Sequence, residues 1–226
     1  QPRSRGLGDV YKRQHHNKRR GVDFVLLRDE RGEWLRTHVG TGKKVLDIGC
    51  RDGALTKEYA ADNSITGVDI DLVALERAQQ EIGLAPMHFD LNLPWPISQN
   101  TYDTVVACEV LEHVYYPYVV FEKVAHVLKK DGVFVGTIPH AFSLQNRLRY
   151  LVGTKKNTPL SDPTHINHFT YKELKGLLEK HFYDVKIKSV ISKKFAWLSI
   201  FFPYLFAYDL MWSGNCLLYT SDAADE

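Results

Sequence analysis

Asp47, Gly49 and Gly53 stand in the run VLDIGCRDG, an acidic residue followed at once by a glycine loop. Glycines at such a place let backbone approach a ligand closely and turn sharply into the next helix. The spacing is G-x-x-x-G, not the G-x-G-x-x-G that seats a pyrophosphate on a helix N-terminus. The Asp47 carboxylate would repel a pyrophosphate and welcome a cationic or amino-bearing ligand. Asp69 follows 22 residues after Asp47, at the end of an apolar run, placed to accept hydrogen bonds from both hydroxyls of a ribose. A glycine turn into a capped helix accounts for any one of these features. Together they favour an adenosyl ligand without phosphates.

Four histidines are candidate proton acceptors: His113 in Glu112-His113, His140, and His165 and His168 in the run HINH. Each alone also fits a structural hydrogen-bonding role, so the group, rather than one member, is the catalytic candidate. His165-x-x-His168 helped by His140 lacks a carboxylate or thiol that completes a recognisable ligand set, so no metal is expected.

Positioning these residues requires alternating strands and helices. A helical stripe over Val22 to Val39 leads into a strand, Lys43 to Ile48, and then the glycine loop and a helix from about Ala54 to Ala61. Strand Ser64 to Ile70, helix Leu72 to Ile82 and strand Pro86 to Asp90 follow. Tyr102 to Cys108 (YDTVVAC) has the apolar character of a buried parallel strand. A helix runs to Lys130, and Asp131-Gly132 turns into strand Val133 to Ile138. After an irregular insertion at about 141–167 come helix Tyr171 to His181 and strand Tyr183 to Ser192. The spacing predicts an α/β fold, a doubly wound, mostly parallel sheet in one domain. Ligands in such folds bind beyond the carboxyl ends of the strands.

The 226 residues are 44% hydrophobic and 25% charged, which excludes a disordered chain, and are enough to bury a sizeable core. With 29 basic against 27 acidic residues there is no global field for gripping nucleic acid. Cys50, Cys108 and Cys216 form no CxxC pair, which suits a reducing, cytoplasmic compartment.

Both ends look foreign. Residues 4–14 resemble translated sequencing-adapter DNA, and residues 216–226 resemble the partner adapter read on the opposite strand. Asp9 to Gln14 can be written GAT GTG TAT AAG AGA CAG, whose reverse complement, shifted by one base, encodes Cys-Leu-Leu-Tyr-Thr-Ser as at Cys216 to Ser221. The native domain is therefore expected within 15–215, with 1–14 and 216–226 as non-native tails and the gene cut at both ends.

The runs VLDIGCRDGALT, GVDID, HFDLNLPWP, YDTVVACEVLEHV and LKKDGVFVGTIP, in that order, resemble class I S-adenosylmethionine-dependent methyltransferases of Rossmann-like fold from about Lys43 to Ser192. The resemblance implies a seven-stranded sheet whose last strand is antiparallel. No convincing candidate for that strand is visible, so it is expected to be missing. It also implies that Asp47, Gly49 and Gly53 frame the methionine part of the cofactor, with Cys50 and Arg51 contributing backbone. Asp69 would hold the ribose and Ile70 would pack on the adenine. Asp90 would accept from the adenine amino group beside Leu91, and Cys108 and Glu109 would line the methionine end. A strand-end turn carboxylate is the plainer reading of Asp90.

The expected reaction is methyl transfer to a small-molecule or lipid-like acceptor. The alternatives are a nicotinamide-dependent oxidoreductase, disfavoured by the glycine spacing, and a non-catalytic cofactor-binding module. No [DN]PP[YF] follows the fourth strand, which argues against the usual methylation of base amines, and no nucleic-acid partner is expected. The apolar segment 195–212 (FAWLSIFFPYLFAYDLMW) is read as a cap on the fold or acceptor pocket, as an interfacial membrane contact, or as a bilayer span interrupted by Pro203 and Asp209.

Overall fold

Neighbouring residues of the apolar runs point to opposite faces of one sheet and are buried on both. Val45 packs on one side and Leu46 on the other, as do Val106 with Val105 and Val135 with Phe134. Helices cover both faces, so the strands read as continuous apolar runs instead of alternating ones. The computed structural model describes residues 21–191, 197, 201–202 and 204–217. The tail 1–14, all of 216–226 after Leu217, and residues 195–196, 198–200 and 203 of the apolar segment lie outside the described residues.

The first helix, α1, is Arg28–Val39, shorter than the sequence stripe because residues 21–27 form turns, with Leu27 in the left-handed region (φ 57°). Strand β1 (Lys44–Ile48) follows, then the glycine loop, the short helix α2 (Lys57–Ala60), β2 (Ser64–Asp69), α3 (Leu72–Ile82) and β3 (Ala85–His88). Asp71 caps α3, accepting from the amides of Val73 and Ala74. Strand β4 (Tyr102–Cys108) has the predicted bounds and ends in a 3-10 turn, Leu111–His113. Helix α4 (Pro117–Val127) leads into β5 (Leu128–Pro139). The insertion holds α5 (Leu144–Leu151) and a second 3-10 turn, Pro159–Ser161. Helix α6 (Tyr171–Leu178) opens with a capping box between Thr170 and Glu173, and strands β6 (Phe182–Ile191) and β7 (Ala207–Cys216) complete the described elements.

The sheet has seven strands in the order β3-β2-β1-β4-β5-β7-β6. β1 pairs in parallel with both β2 and β4, so the order reverses between β1 and β4 and a crevice opens at their carboxyl ends.

The expectation that the last antiparallel strand is missing is overturned. β7 is present and antiparallel to both neighbours, its Trp212 pairing with Gly136 on β5 and with Ile187 on β6. Lying between two strands, it is buried almost throughout, and Leu210, Met211 and Trp212 are fully buried. A strand covered on both faces lacks the alternation that advertises a strand, and Asp209 breaks its apolar run. Its first half therefore read as the end of the apolar segment 195–212. Cys216, where the C-terminal tail was expected to begin, is the last residue of β7, buried opposite Phe182. No helix among the described residues is long and apolar enough to cross a membrane.

Candidate active site

The carboxyl ends of β1, β2, β3 and β4 deliver Asp47, Asp69, Asp90 and Glu109 to the lining of one cavity of about 250 Å³. Asp47 lies buried at its floor, where Thr56 Oγ1 and Tyr59 Oη each donate to its Oδ2 at 2.6 Å. Burial pushes the Asp47 carboxyl up to about 6 despite these two bonds. Gly49 takes φ 74°, and its amide donates to the Val68 carbonyl at 2.7 Å. A Cβ there would meet Val110 Cγ2 at 2.6 Å, so only glycine lets the loop pass this wall.

The loop is tied to the next strand through Asp69. Arg51, at φ 50°, donates its amide to Asp69 Oδ2, and the Asp71 amide donates to Oδ1, both at 2.8 Å. Two backbone bonds hold the carboxylate in place and leave further lone pairs facing the cavity. Burial nonetheless raises its pKa. Ile70, Leu91 and Phe89 supply the apolar wall. Asp90 is a turn carboxylate as well as a lining residue, since its Oδ1 accepts from the amide and side-chain nitrogen of Asn92 at 2.9 and 2.8 Å.

Of the expected cofactor residues, Asp47, Gly49, Cys50, Arg51, Asp69, Ile70, Asp90, Leu91, Cys108 and Glu109 all line this cavity. Gly53 does not. It sits at φ 73° with its missing side chain against Ala78 and Ile82, letting the loop close onto α3.

The histidines separate. His113 lines the cavity, and His165 packs edge-on against it with ring centroids 4.8 Å apart. His168 lies beside His165 at 6.4 Å, and burial lowers its pKa. His140 is elsewhere, buried with its Nδ1 at 3.0 Å from the Ala207 carbonyl, and does not line the cavity. The insertion reaches the site because the amides of Ile166 and Asn167 both donate to the Glu112 carbonyl, at 2.9 and 3.0 Å.

Sequence reasoning missed three charged residues. Arg31 on α1 is buried at the cavity edge, bridging Glu109 Oε1 and Asp209 Oδ2, each at 2.8 Å from its Nη2. Burial opposes its charge, but those two carboxylates prevail and raise its pKa. Its signal was the spacing of Arg31, Leu35 and Val39 on one helical face, with the charge in an apolar slot. Asp209 likewise stands alone in an apolar strand. Glu112, adjacent to His113, is 1% exposed, and neither carboxylate oxygen has a hydrogen-bond partner among the described residues. Burial, reinforced by Glu109, holds its pKa well above the usual carboxylate range.

A cavity edged by carboxylates at four consecutive strand ends, with backbone exposed at Gly49, fits a ligand that carries an ammonium group and a ribose and no phosphate. Fold and site define a class I S-adenosylmethionine-dependent methyltransferase domain. A family model described as a methyltransferase domain matches residues 12–185, and the chain belongs to that family.

The chain is 39% identical over 127 residues to a ubiquinone biosynthesis O-methyltransferase of Haemophilus ducreyi, covering 50% of this chain and 53% of that protein. It is 34% identical over 122 residues to the protein of that name in Vibrio campbellii, covering 51% of each. The chain thus spans about half the length of these curated relatives. Among solved structures it resembles a SAM-dependent methyltransferase of Thermotoga maritima with a TM-score of 0.66. The identity is 14%, over 92% of this chain and 96% of that one, a likeness of fold.

Proposed function

We propose that this chain transfers a methyl group from S-adenosylmethionine to an oxygen of a small, apolar or lipid-like acceptor. The observation that carries the reading is the convergence of Asp47, Asp69, Asp90 and Glu109 on one cavity whose floor is glycine-loop backbone. Such a wall disfavours the pyrophosphate of a nicotinamide cofactor. The choice of oxygen is supported by the relatives' O-methyltransferase name.

Bound S-adenosylmethionine supplies a methyl group on a sulfonium, a leaving group already activated. The chain's task is then alignment and desolvation, which reach effective molarities of about 10⁵–10⁸ M in well-oriented systems. Asp69 orients the ribose, Asp90 and Ile70 the adenine, and Asp47 and Glu109 the ammonium end. The acceptor oxygen approaches from the side of Val110 and His113, with His165 and His168 next to it, and gives up its proton there, away from His140. A positioned base contributes about 10²–10⁴-fold to such a step.

An apolar acceptor is supported by Phe24 and Leu26, which are exposed and yet line the cavity mouth. Trp197, Phe201 and Phe202 are exposed aromatics in the segment 195–212 and offer an approach to a membrane surface. The test is production of S-adenosylhomocysteine from S-adenosylmethionine with a panel of apolar phenols and of amines. Turnover of phenols alone is expected. Turnover confined to amines overturns the oxygen assignment, and a chain that stays wholly soluble in liposome flotation overturns the membrane approach.

A further inference from the structure

Glu112, His113 and His165 bring one carboxylate and two imidazoles together beside the cofactor cavity, with one ligand atom from each inside 4.8 Å of the others. A divalent ion bound at 2.0–2.2 Å needs donors roughly 3–4 Å apart, so small side-chain rotations close this set around an ion. His113 Nε2 and Glu112 Oε1 already stand 3.8 Å apart.

Three features argue that the cluster is built for a cation. Glu112 is almost completely buried and both its oxygens lack a hydrogen-bond partner among the described residues, an arrangement that is costly unless something else satisfies the group. His113 is held from behind, its Nδ1 lying 2.9 Å from the Thr164 carbonyl, which fixes Nδ1 as the N–H and turns an Nε2 lone pair toward Glu112. The loop carrying His165 is pinned to the Glu112 backbone by the amides of Ile166 and Asn167, so residues 53 positions apart are held as one unit.

We propose that Glu112, His113 and His165 form a binding site for a first-row divalent transition ion at the acceptor end of the cavity. Two imidazoles with one carboxylate select zinc, iron(II), manganese or cobalt over magnesium and calcium, which prefer all-oxygen sets. Three protein ligands leave positions open. An acceptor hydroxyl reaching past His113 takes one of them, and the ion favours loss of its proton to water. The oxygen–methyl bond then forms as the sulfur–methyl bond breaks, its electron pair remaining on sulfur. This last role rests on the methyltransferase reading, whereas ion binding does not.

The experiment uses the full chain freed of metal by chelation, titrated separately with Co²⁺ and Zn²⁺. One equivalent of Co²⁺ is expected, with visible d–d absorption of an imidazole-ligated ion, and Zn²⁺ should displace it. His165 does not itself line the cofactor cavity, and His165→Ala should weaken Co²⁺ binding at least about 100-fold. Glu112→Gln, which keeps shape and removes the charge, should weaken it comparably. Calorimetric binding of S-adenosylhomocysteine to His165→Ala should match the parent chain, which shows that the variant is folded and keeps the two claims separate. Absent Co²⁺ bands, or bands unchanged in both variants, would overturn the metal site whatever the cofactor result.

Discussion

The Arg31 guanidinium meets the Asp209 carboxylate through two contacts, Nε at 2.9 Å and Nη2 at 2.8 Å, both to Oδ2, across 178 positions of sequence. The pair joins α1 to β7, and Nη2 also reaches Glu109 at the end of β4. One cation thereby holds the helix, the antiparallel strand and the β4 edge of the cavity together.

Removing it leaves the buried Asp209 and the partly buried Glu109 without their shared cation. Arg31→Met should cost about 3–5 kcal/mol of stability, the scale of breaking a buried pair from one side. Asp209→Leu added to it should recover part of that loss, since buried charges replaced by apolar groups are often tolerated. Urea unfolding of the two variants measures the difference, and additive losses would contradict a coupled pair.

Gly136 on β5 faces Trp212 on β7 in register, and a Cβ there would fall on the Ala107 carbonyl oxygen and the Trp212 ring. Neither the strand backbone nor a fully buried indole moves cheaply. Gly136→Ala should destabilise the chain by about 3 kcal/mol or more through overpacking. A thermal midpoint equal to the parent's would contradict the packing of β7 against β5.

Asp47 gives a pH signature. Its carboxyl is raised to about 6 by burial, so the folded chain takes up a proton more readily than the unfolded one between about pH 4 and 6. Its contribution to stability is fully present below that window and is lost as pH rises through 6. Ligand affinity should run the other way, because a cationic group beside Asp47 favours the anion. Binding of S-adenosylhomocysteine should tighten as pH rises through 6, and Asp47→Asn should flatten that slope. A parent chain with the same flat profile would contradict the role.

Asp69 is the most direct probe of the ribose position. Asp69→Ala should weaken S-adenosylhomocysteine by about 1.5–3 kcal/mol, the scale of hydrogen bonds to a charged group. Because Asp69 also receives the Arg51 and Asp71 amides, Asp69→Asn serves as the milder variant and should lose less. An unchanged dissociation constant in both would remove the assignment.

What was legible in the chain follows from where each signal resides. The glycine loop, Asp69 and the β4 end were readable because their chemistry is local, a few residues at one strand-to-helix turn. Of the residues expected to hold the cofactor only Gly53 does not line the cavity, and it still shapes the loop by packing on α3. β7 was hidden because a central strand has no alternation, and its one charge has its partner 178 positions away. The histidines could not be sorted by spacing. His140 follows a strand as a ligand-binding residue would, yet its ring is bonded to the Ala207 carbonyl, a contact created only when β7 folds back beside β5. Glu112 was overlooked beside His113 because its meaning depends on His165, delivered by a distant loop.

Calorimetric titration with S-adenosylhomocysteine and, separately, with NAD tests the cofactor class most directly. The chain should be kept through Leu217, since Cys216 completes β7 and the Leu217 amide donates to the His181 carbonyl at 2.9 Å. Saturable binding of S-adenosylhomocysteine near one equivalent, with no heat from NAD, is the predicted result. Binding of NAD alone by the folded chain would contradict the methyltransferase reading.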